Sequence, residues 1–341
     1  MGSAYRPPRW LRNAHVQSVL SSTPLRRAAG LRELQRLGTQ TTEHIITVED
    51  GVRLQGFHSH LPKSDAPSRG MVLLLHGWEG SSESSYMRHT AAQLLARGFE
   101  VFRLNFRDHG DTHHLNEGLF HSCRLAEVVQ AAVEVSRRFP ARPMLAAGYS
   151  LGGNFALRLA LAAPEAGIPL VHAAAVCPAI DPSAVMRTLE SGQPFYHWYF
   201  MKKWRRSLTI KRALFPNHHD FDDSILAKDM RSLTHWLVER HTTMAGVEEY
   251  FDGYAVAGER LAGLKVPVSV LASADDPVIP VDGFPRLTLP AHSTLEIADF
   301  GGHCGFLEGV NLRGYAERWV ADRLAAAAAP APERATIAVS P

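Results

Sequence analysis

Met144-Leu145-Ala146-Ala147-Gly148-Tyr149-Ser150-Leu151-Gly152-Gly153-Asn154 is the stretch on which the fold turns. A short apolar run leads into Gly148-Tyr149-Ser150-Leu151-Gly152, and a helical pattern over 154–163 leads out of it. A Gly-x-Ser-x-Gly pentad alone is weak evidence, because glycine and serine are common. Its position between strand and helix gives it weight: this is the sharp elbow that holds a nucleophilic serine above a sheet edge. The glycines have a physical reason, since the nucleophile sits in a strained turn and side chains beside it would meet strand and helix. The bland reading, a glycine-rich turn with an idle serine, is the weaker one in this setting.

Working outward, the same strand-helix alternation recurs. Residues 43–49 and 52–58 flank Asp50-Gly51 and read as a β-hairpin. Met71-Val72-Leu73-Leu74-Leu75 is continuously apolar, as a strand buried on both faces must be. Helices are expected at 86–97, ended by Gly98, and at 119–139, stopped by Pro140; further strands fall at 101–104 and 171–176. The alternation breaks at about 182 and resumes with strands at 266–272 and 293–297 and a helix at 307–325. The predicted class is α/β, a mostly parallel central sheet with helices on both faces and a helical insertion. The expected division is an N-terminal arm over 1–42, a core over 43–181 and 264–326, a helical cap or lid over 182–263, and a disordered Ala- and Pro-rich tail over 327–341. The arm reads as neither a clean helix nor a strand.

Composition narrows the partners. Lys and Arg total 36 against 34 Asp and Glu, a balance that argues against a nucleic-acid protein. The three cysteines, Cys123, Cys177 and Cys304, form no disulfide or zinc pattern. The first twelve residues lack a secretory signal, and no apolar run of about 18 residues exists. These features point to a soluble protein of a reducing, cytoplasmic compartment, with no cofactor, no nucleic acid and no metal.

A serine hydroxyl needs a general base. Of the 18 histidines, His303 in Phe300-Gly301-Gly302-His303-Cys304-Gly305 follows the last expected strand, where glycines let a loop carry an imidazole over the sheet edge. A surface histidine is the alternative for any one of them taken singly. The base needs a carboxylate to fix its tautomer. Asp275-Asp276-Pro277-Val278-Ile279-Pro280 follows the strand at 266–272, and Asp276 is preferred, with Asp275 a turn cap. The oxyanion hole is assigned to the backbone N–H groups of Leu151, just after the nucleophile, and Trp78, in the glycine-bearing loop His76-Gly77-Trp78-Glu79-Gly80. Two further features carry bland readings. The cluster Asp108-His109-Gly110-Asp111-Thr112-His113-His114 reads as a polar loop near the site mouth rather than a metal site, because no helical ligand spacing accompanies it. The aromatic-basic run from Phe195 to Arg206 reads as a packing helix of the cap, compatible with weak contact with a lipid surface.

The order Ser150, Asp276, His303 is that of the α/β-hydrolases. The chain resembles their YheT-type branch in Arg12-Asn13-Ala14-His15-Val16-Gln17, Leu75-His76-Gly77-Trp78-Glu79-Gly80-Ser81, Asn105-Phe106-Arg107, the pentad with Gly153-Asn154, and Gly301-Gly302-His303. It departs from that branch at Ala14, at Trp78 and in the histidine-rich loop. The resemblance implies an α/β-hydrolase fold, the triad Ser150, Asp276, His303 and hydrolysis of carboxylic esters. The expected activity is that of a serine carboxylesterase on a small ester of short or medium acyl chain. Alternatives are acyl transfer, or lipase or phospholipase action, with the same residues. A non-catalytic binding module is a third reading, which the complete triad disfavours. Aspartate-nucleophile hydrolases are disfavoured because the elbow carries Ser150.

Overall fold

The computed structural model describes residues 3–62 and 67–328. Eight strands form one sheet in the order β1-β2-β4-β3-β5-β6-β7-β8. They are β1 (Gln40–Thr47), β2 (Arg53–His60), β3 (Met71–Leu75), β4 (Glu100–Leu104), β5 (Met144–Tyr149), β6 (Leu170–Val176), β7 (Val268–Ser273) and β8 (Thr294–Ala298). The hairpin β1–β2 and the β2–β4 pairing are antiparallel; every other pairing is parallel. Asp50 and Gly51 both take positive φ in the hairpin turn, as an Asp-Gly turn requires.

The central strands are apolar throughout because both faces are covered. In β3, Leu73 and Leu75 join one core cluster while Val72 and Leu74 join the other, the period-two alternation of a pleated strand. The arm and the core contribute α1 (Ala14–Ser21), α2 (Pro24–Arg36), α3 (Ser85–Leu95), α4 (Leu125–Arg138) and α5 (Leu151–Ala162). Between β6 and β7 lie α6 (Pro182–Ser191), α7 (Pro194–Leu214), α8 (Asp223–Ala227), α9 (Met230–His241) and α10 (Val247–Asp252), and α11 (Tyr315–Ala327) ends the chain described. α3 and α11 cover one face; α4 and α5 cover the other. The inserted segment leaves and rejoins the sheet at one place, where Val256 N–H donates to Ile180 O at 2.9 Å.

Several expectations are corrected. The arm is helical: Asn13 caps α1 by accepting from the His15 and Val16 N–H groups, and Thr23 with Pro24 starts α2. Weak amphipathicity hid both helices, which are held by tertiary contacts instead. The helix expected at 119–139 starts only at Leu125, because Phe120 N–H is bound by Asp108 and Ser122 N–H by the Tyr250 hydroxyl. The helix expected at 307–325 starts at Tyr315, after a turn closed by the Leu307–Gly314 bridge. Most of the tail expected over 327–341 lies outside the described residues.

The arm is fastened to the core by a buried ion pair. Arg26 of α2 donates to Glu317 of α11 at 2.6 Å, and both side chains are 1 % exposed. The same guanidinium donates to Leu312 O and Ser21 O. Replacing one partner strands the other charge in the interior. Arg26→Met is expected to destabilise the fold by roughly 3–5 kcal/mol, seen as a lower urea midpoint at neutral pH.

Candidate active site

Ser150 stands at the junction of β5 and α5 with φ 54° and ψ −120°, a conformation few non-glycine residues adopt. It survives because its neighbours leave no alternative. A Cβ on Gly148 would lie 2.0 Å from Gly152 O, and one on Gly152 would lie 2.3 Å from Leu75 O. Backbone bonds lock the turn: Ser150 N–H donates to Val176 O at 2.9 Å, and Ser150 O accepts from Asn154 N–H at 3.1 Å. The buried Asn154 amide in turn donates to Ala179 O and Tyr254 O.

The structure brings Ser150, His303 and Asp276 together from three separate segments. His303 Nε2 lies 3.0 Å from Ser150 Oγ, and Nδ1 lies 2.9 Å from Asp276 Oδ2. With the Nδ1 proton donated to the carboxylate, Nε2 accepts from the serine hydroxyl. Asp276 Oδ1 also accepts from the Val278 and Ile279 N–H groups, which fixes its orientation. Burial opposes an imidazolium at His303, but Asp276, by charge and hydrogen bond, and Cys304 outweigh it and raise the pKa to about 9.

The expected oxyanion donors also reach this place. Leu151 opens α5, so its N–H is among those a helix leaves without an internal acceptor. The loop after β3 presses on the elbow: a Cβ on Gly77 would stand 3.2 Å from Ser150 Cβ. Trp78, Ser150 and Leu151 line one cavity. Gly77 N–H itself is taken by the Tyr86 hydroxyl at 2.9 Å. His76 has a structural part. It contacts Gly77 O through Nδ1, its Nε2 accepts from Phe106 N–H, and burial lowers its pKa to about 4.

Several groups at the site were not foreseen. Asp275 is more than a turn cap: its Oδ1 accepts from Gly302 N–H at 2.8 Å and so anchors the loop bearing His303. Ser18, in the arm, accepts from His303 N–H at 2.8 Å. Gln17 accepts from Leu307 N–H and donates to Leu11 O. The arm therefore splints the histidine loop. The sequence signals for it are the Asn13 cap and the stretch Arg12-Asn13-Ala14-His15-Val16-Gln17 that matches the YheT-type branch. Glu79, held at φ 56°, lines the site, and burial lifts its carboxyl to about 7 despite Lys203 nearby.

The histidine-rich loop is more buried than its composition implied. His109 and His113 are buried; His109 Nδ1 contacts Arg107 O, and His113 Nε2 contacts Ser207 Oγ. Lys211 of α7, fully buried, donates to Asp108 at 2.6 Å and to the carbonyls of His113 and Asn116. That ion pair joins the inserted helices to the loop after β4.

Two cavities meet at Ser150. One, about 120 Å³, lies between the sheet edge and the inserted helices, against Leu151, Met186, Leu189, Leu208 and Leu237. The other, about 330 Å³, lies between α1–α2 and α7, with Val19, Arg27, Tyr199, Lys203 and His303 on its walls.

The sequence profile described as alpha/beta hydrolase fold matches residues 70–310. The chain belongs to the α/β-hydrolase fold family. Among α/β-hydrolases it is 24 % identical to YheT of Escherichia coli (strain K12), named as a candidate esterase, over 93 % of this chain and 91 % of that one. It is 28 % identical to human phospholipase ABHD3 over 72 % of this chain, an alignment that spans 61 % of the relative. Among solved structures, the Pyrococcus furiosus esterase Pf2001 superposes with a TM-score of 0.54 at 15 % identity, covering 86 % of this chain and 94 % of that one. A 2,6-dihydroxy-pseudo-oxynicotine hydrolase gives 0.55 at 17 % identity, covering 91 % and 77 %.

The raised His303 pKa has a defined effect on stability. The folded value, about 9, lies above the ordinary 6.5, so the His303–Asp276 pairing stabilises the fold fully below pH 6.5 and stops doing so as pH rises through about 9. The Tm difference between wild type and Asp276→Asn is therefore expected to be larger at pH 6 than at pH 10. Equal differences at the two pH values would contradict the assignment.

Proposed function

We propose that this protein is a serine hydrolase of carboxylic esters acting through an acyl-enzyme on Ser150. The observation that carries the reading is the hydrogen-bonded run Ser150–His303–Asp276 on a strained elbow where two cavities meet. His303 takes the Ser150 proton as Oγ attacks the carbonyl carbon, and Asp276 stabilises the imidazolium. The N–H groups of Leu151 and Trp78 hold the oxyanion, each worth roughly 2.7–4 kcal/mol in such sites. Collapse expels the alcohol, protonated by His303, and water repeats the sequence on the acyl-enzyme. The cavity under the inserted helices, against Met186, Leu189, Leu208 and Leu237, takes the acyl chain, and the one between the arm and α7 takes the alcohol half. The inserted helices serve as the lid that excludes water.

A lipid ester is the second reading, favoured by one surface feature. Phe195 and Trp198 of α7 are 50 % and 54 % exposed, and Val19, 45 % exposed, stands with Phe195 at the second cavity. Such residues suit an interfacial contact. Among the described residues no helix is long and apolar enough to cross a membrane.

Ser150→Ala is expected to lower p-nitrophenyl ester hydrolysis by at least 10³-fold, with a sharp acyl-length optimum in wild type. Undiminished activity in the variant would remove the serine mechanism. The base form of His303 grows as pH rises toward about 9, so kcat/KM is expected to increase through that range. Asp276→Asn should move the rise to lower pH while cutting the rate by roughly 10⁴-fold. Flotation with phosphatidylglycerol-rich liposomes tests the lipid reading: co-flotation reduced in Phe195→Ser/Trp198→Ser supports it, and full recovery of wild type in the soluble fraction contradicts it.

A further inference from the structure

Three residues with positive φ crowd the reacting groups: Ser150 at 54°, Cys177 at 43° and Cys304 at 58°. Cys177 follows β6, and Cys304 follows His303 directly. The cysteines face each other across the site floor. Cys177 Sγ lies 3.9 Å from Gly302 O, the residue before His303. Cys304 Sγ lies 3.8 Å from Val176 O, the residue before Cys177. Each thiol thus lies against the backbone one or two residues before the other cysteine, and each shifts the other's titration. Val176 O is also the acceptor of the Ser150 N–H. One carbonyl thus touches both the nucleophile's backbone and the Cys304 thiol.

We propose that Cys177 and Cys304 form a reversible disulfide that disables the Ser150–His303 pair. Cys304 is the entry point, because it lines the second cavity beside Ser150 and His303, while Cys177 is 1 % exposed and lies behind it. The electrostatics favour the same order. Burial resists thiolate formation at both, but the Cys177 hydrogen bond and His303 bring the Cys304 thiol below its ordinary value, while Cys177 is held well above. The oxidant is a hydroperoxide small enough to enter the cavity. The Cys304 thiolate attacks its terminal oxygen; the S–O bond forms, the O–O bond breaks, and the alkoxide or hydroxide leaves and takes a proton. Cys177 sulfur then attacks the sulfenic sulfur and water departs. Two thiols and one hydroperoxide become one disulfide, one alcohol or water, and one water. A dithiol reverses it.

Geometry gives the consequence. The two sulfurs must close to about 2.05 Å to bond. The movement falls on the residue next to His303, whose Nε2 is set 3.0 Å from Ser150 Oγ. A displacement of about 1 Å at reacting groups can lower a rate by about 100-fold. Cys123 is the internal control: its Sγ donates to Tyr250 O at 3.2 Å, away from this pair.

The test exposes the full chain to hydrogen peroxide and reads intact mass, non-reducing peptide maps and labelling of Ser150 by a fluorophosphonate. A 2 Da loss with a 177–304 linked peptide is expected, together with labelling slowed about 100-fold and restored by dithiothreitol. Cys177→Ala should keep its labelling rate in peroxide at the same dose. Oxygen additions without the 2 Da loss, a link through Cys123, or unchanged labelling in the linked protein would overturn the proposal. The effect on labelling rests on Ser150 being the nucleophile. The mass and map do not, so absence of labelling in reduced protein would count against the hydrolase reading while the linkage is judged separately.

Discussion

The backbone turn at Ser150 is the constraint on which the remainder depends. A left-handed residue between a strand and a helix is strained, and the strain persists only where surroundings over-determine it. Here they do: two glycines whose absent Cβ atoms make room for opposing carbonyls, a bond from Ser150 N–H to the next strand, and a buried asparagine beneath. Because the elbow is rigid, the hydroxyl stands at a fixed point above the sheet edge. His303, Asp276 and Trp78 can then be delivered to that point by loops from separate strands, while Leu151 follows the serine directly. Parallel pairing of β3, β5, β6, β7 and β8 is what puts all those loops at one edge.

Local chemistry was legible in the sequence; contacts between distant segments were not. The pentad, the five consecutive apolar residues of β3 and the positions of His303 and Asp276 after their strands could be read because each sits beside a strand with a strong pattern. The α/β fold with an inserted helical segment followed from the alternation. The arm was misread because α1 and α2 lack a clear apolar stripe, although Asn13 and Thr23-Pro24 carried the capping signals. Asp275 read only as a turn cap and Ser18 escaped notice, since each holds a backbone N–H of the His303 loop and no spacing rule announces such a bond. The aromatic-basic run hid a further surprise. Lys211, a little beyond it on α7, is wholly buried and pairs with Asp108. A lysine in a basic helix reads as solvated until the opposing loop is known.

Two segments far apart in sequence shape the space around Ser150. The inserted helices wall one cavity with leucine, methionine and aromatic side chains, and α7 also lines the other, where the arm adds serine, threonine and arginine. The arm therefore reaches only the second cavity, whereas the insertion reaches both. Changes in the arm can alter the second cavity alone, changes in α7 bear on both, and the elbow and its hydrogen bonds stay as they are.

Ser18 and His303 are separated by 285 residues along the chain and by 2.8 Å in space. A ribosome that has extended the chain past α5 has already produced the elbow serine, but neither its imidazole nor the carboxylate behind it. The arm made first must wait for the loop made nearly last. Long-range closures of this kind form late and slowly, so the hydrogen-bonded run Ser150–His303–Asp276 stays incomplete until the C-terminal quarter of the chain has docked.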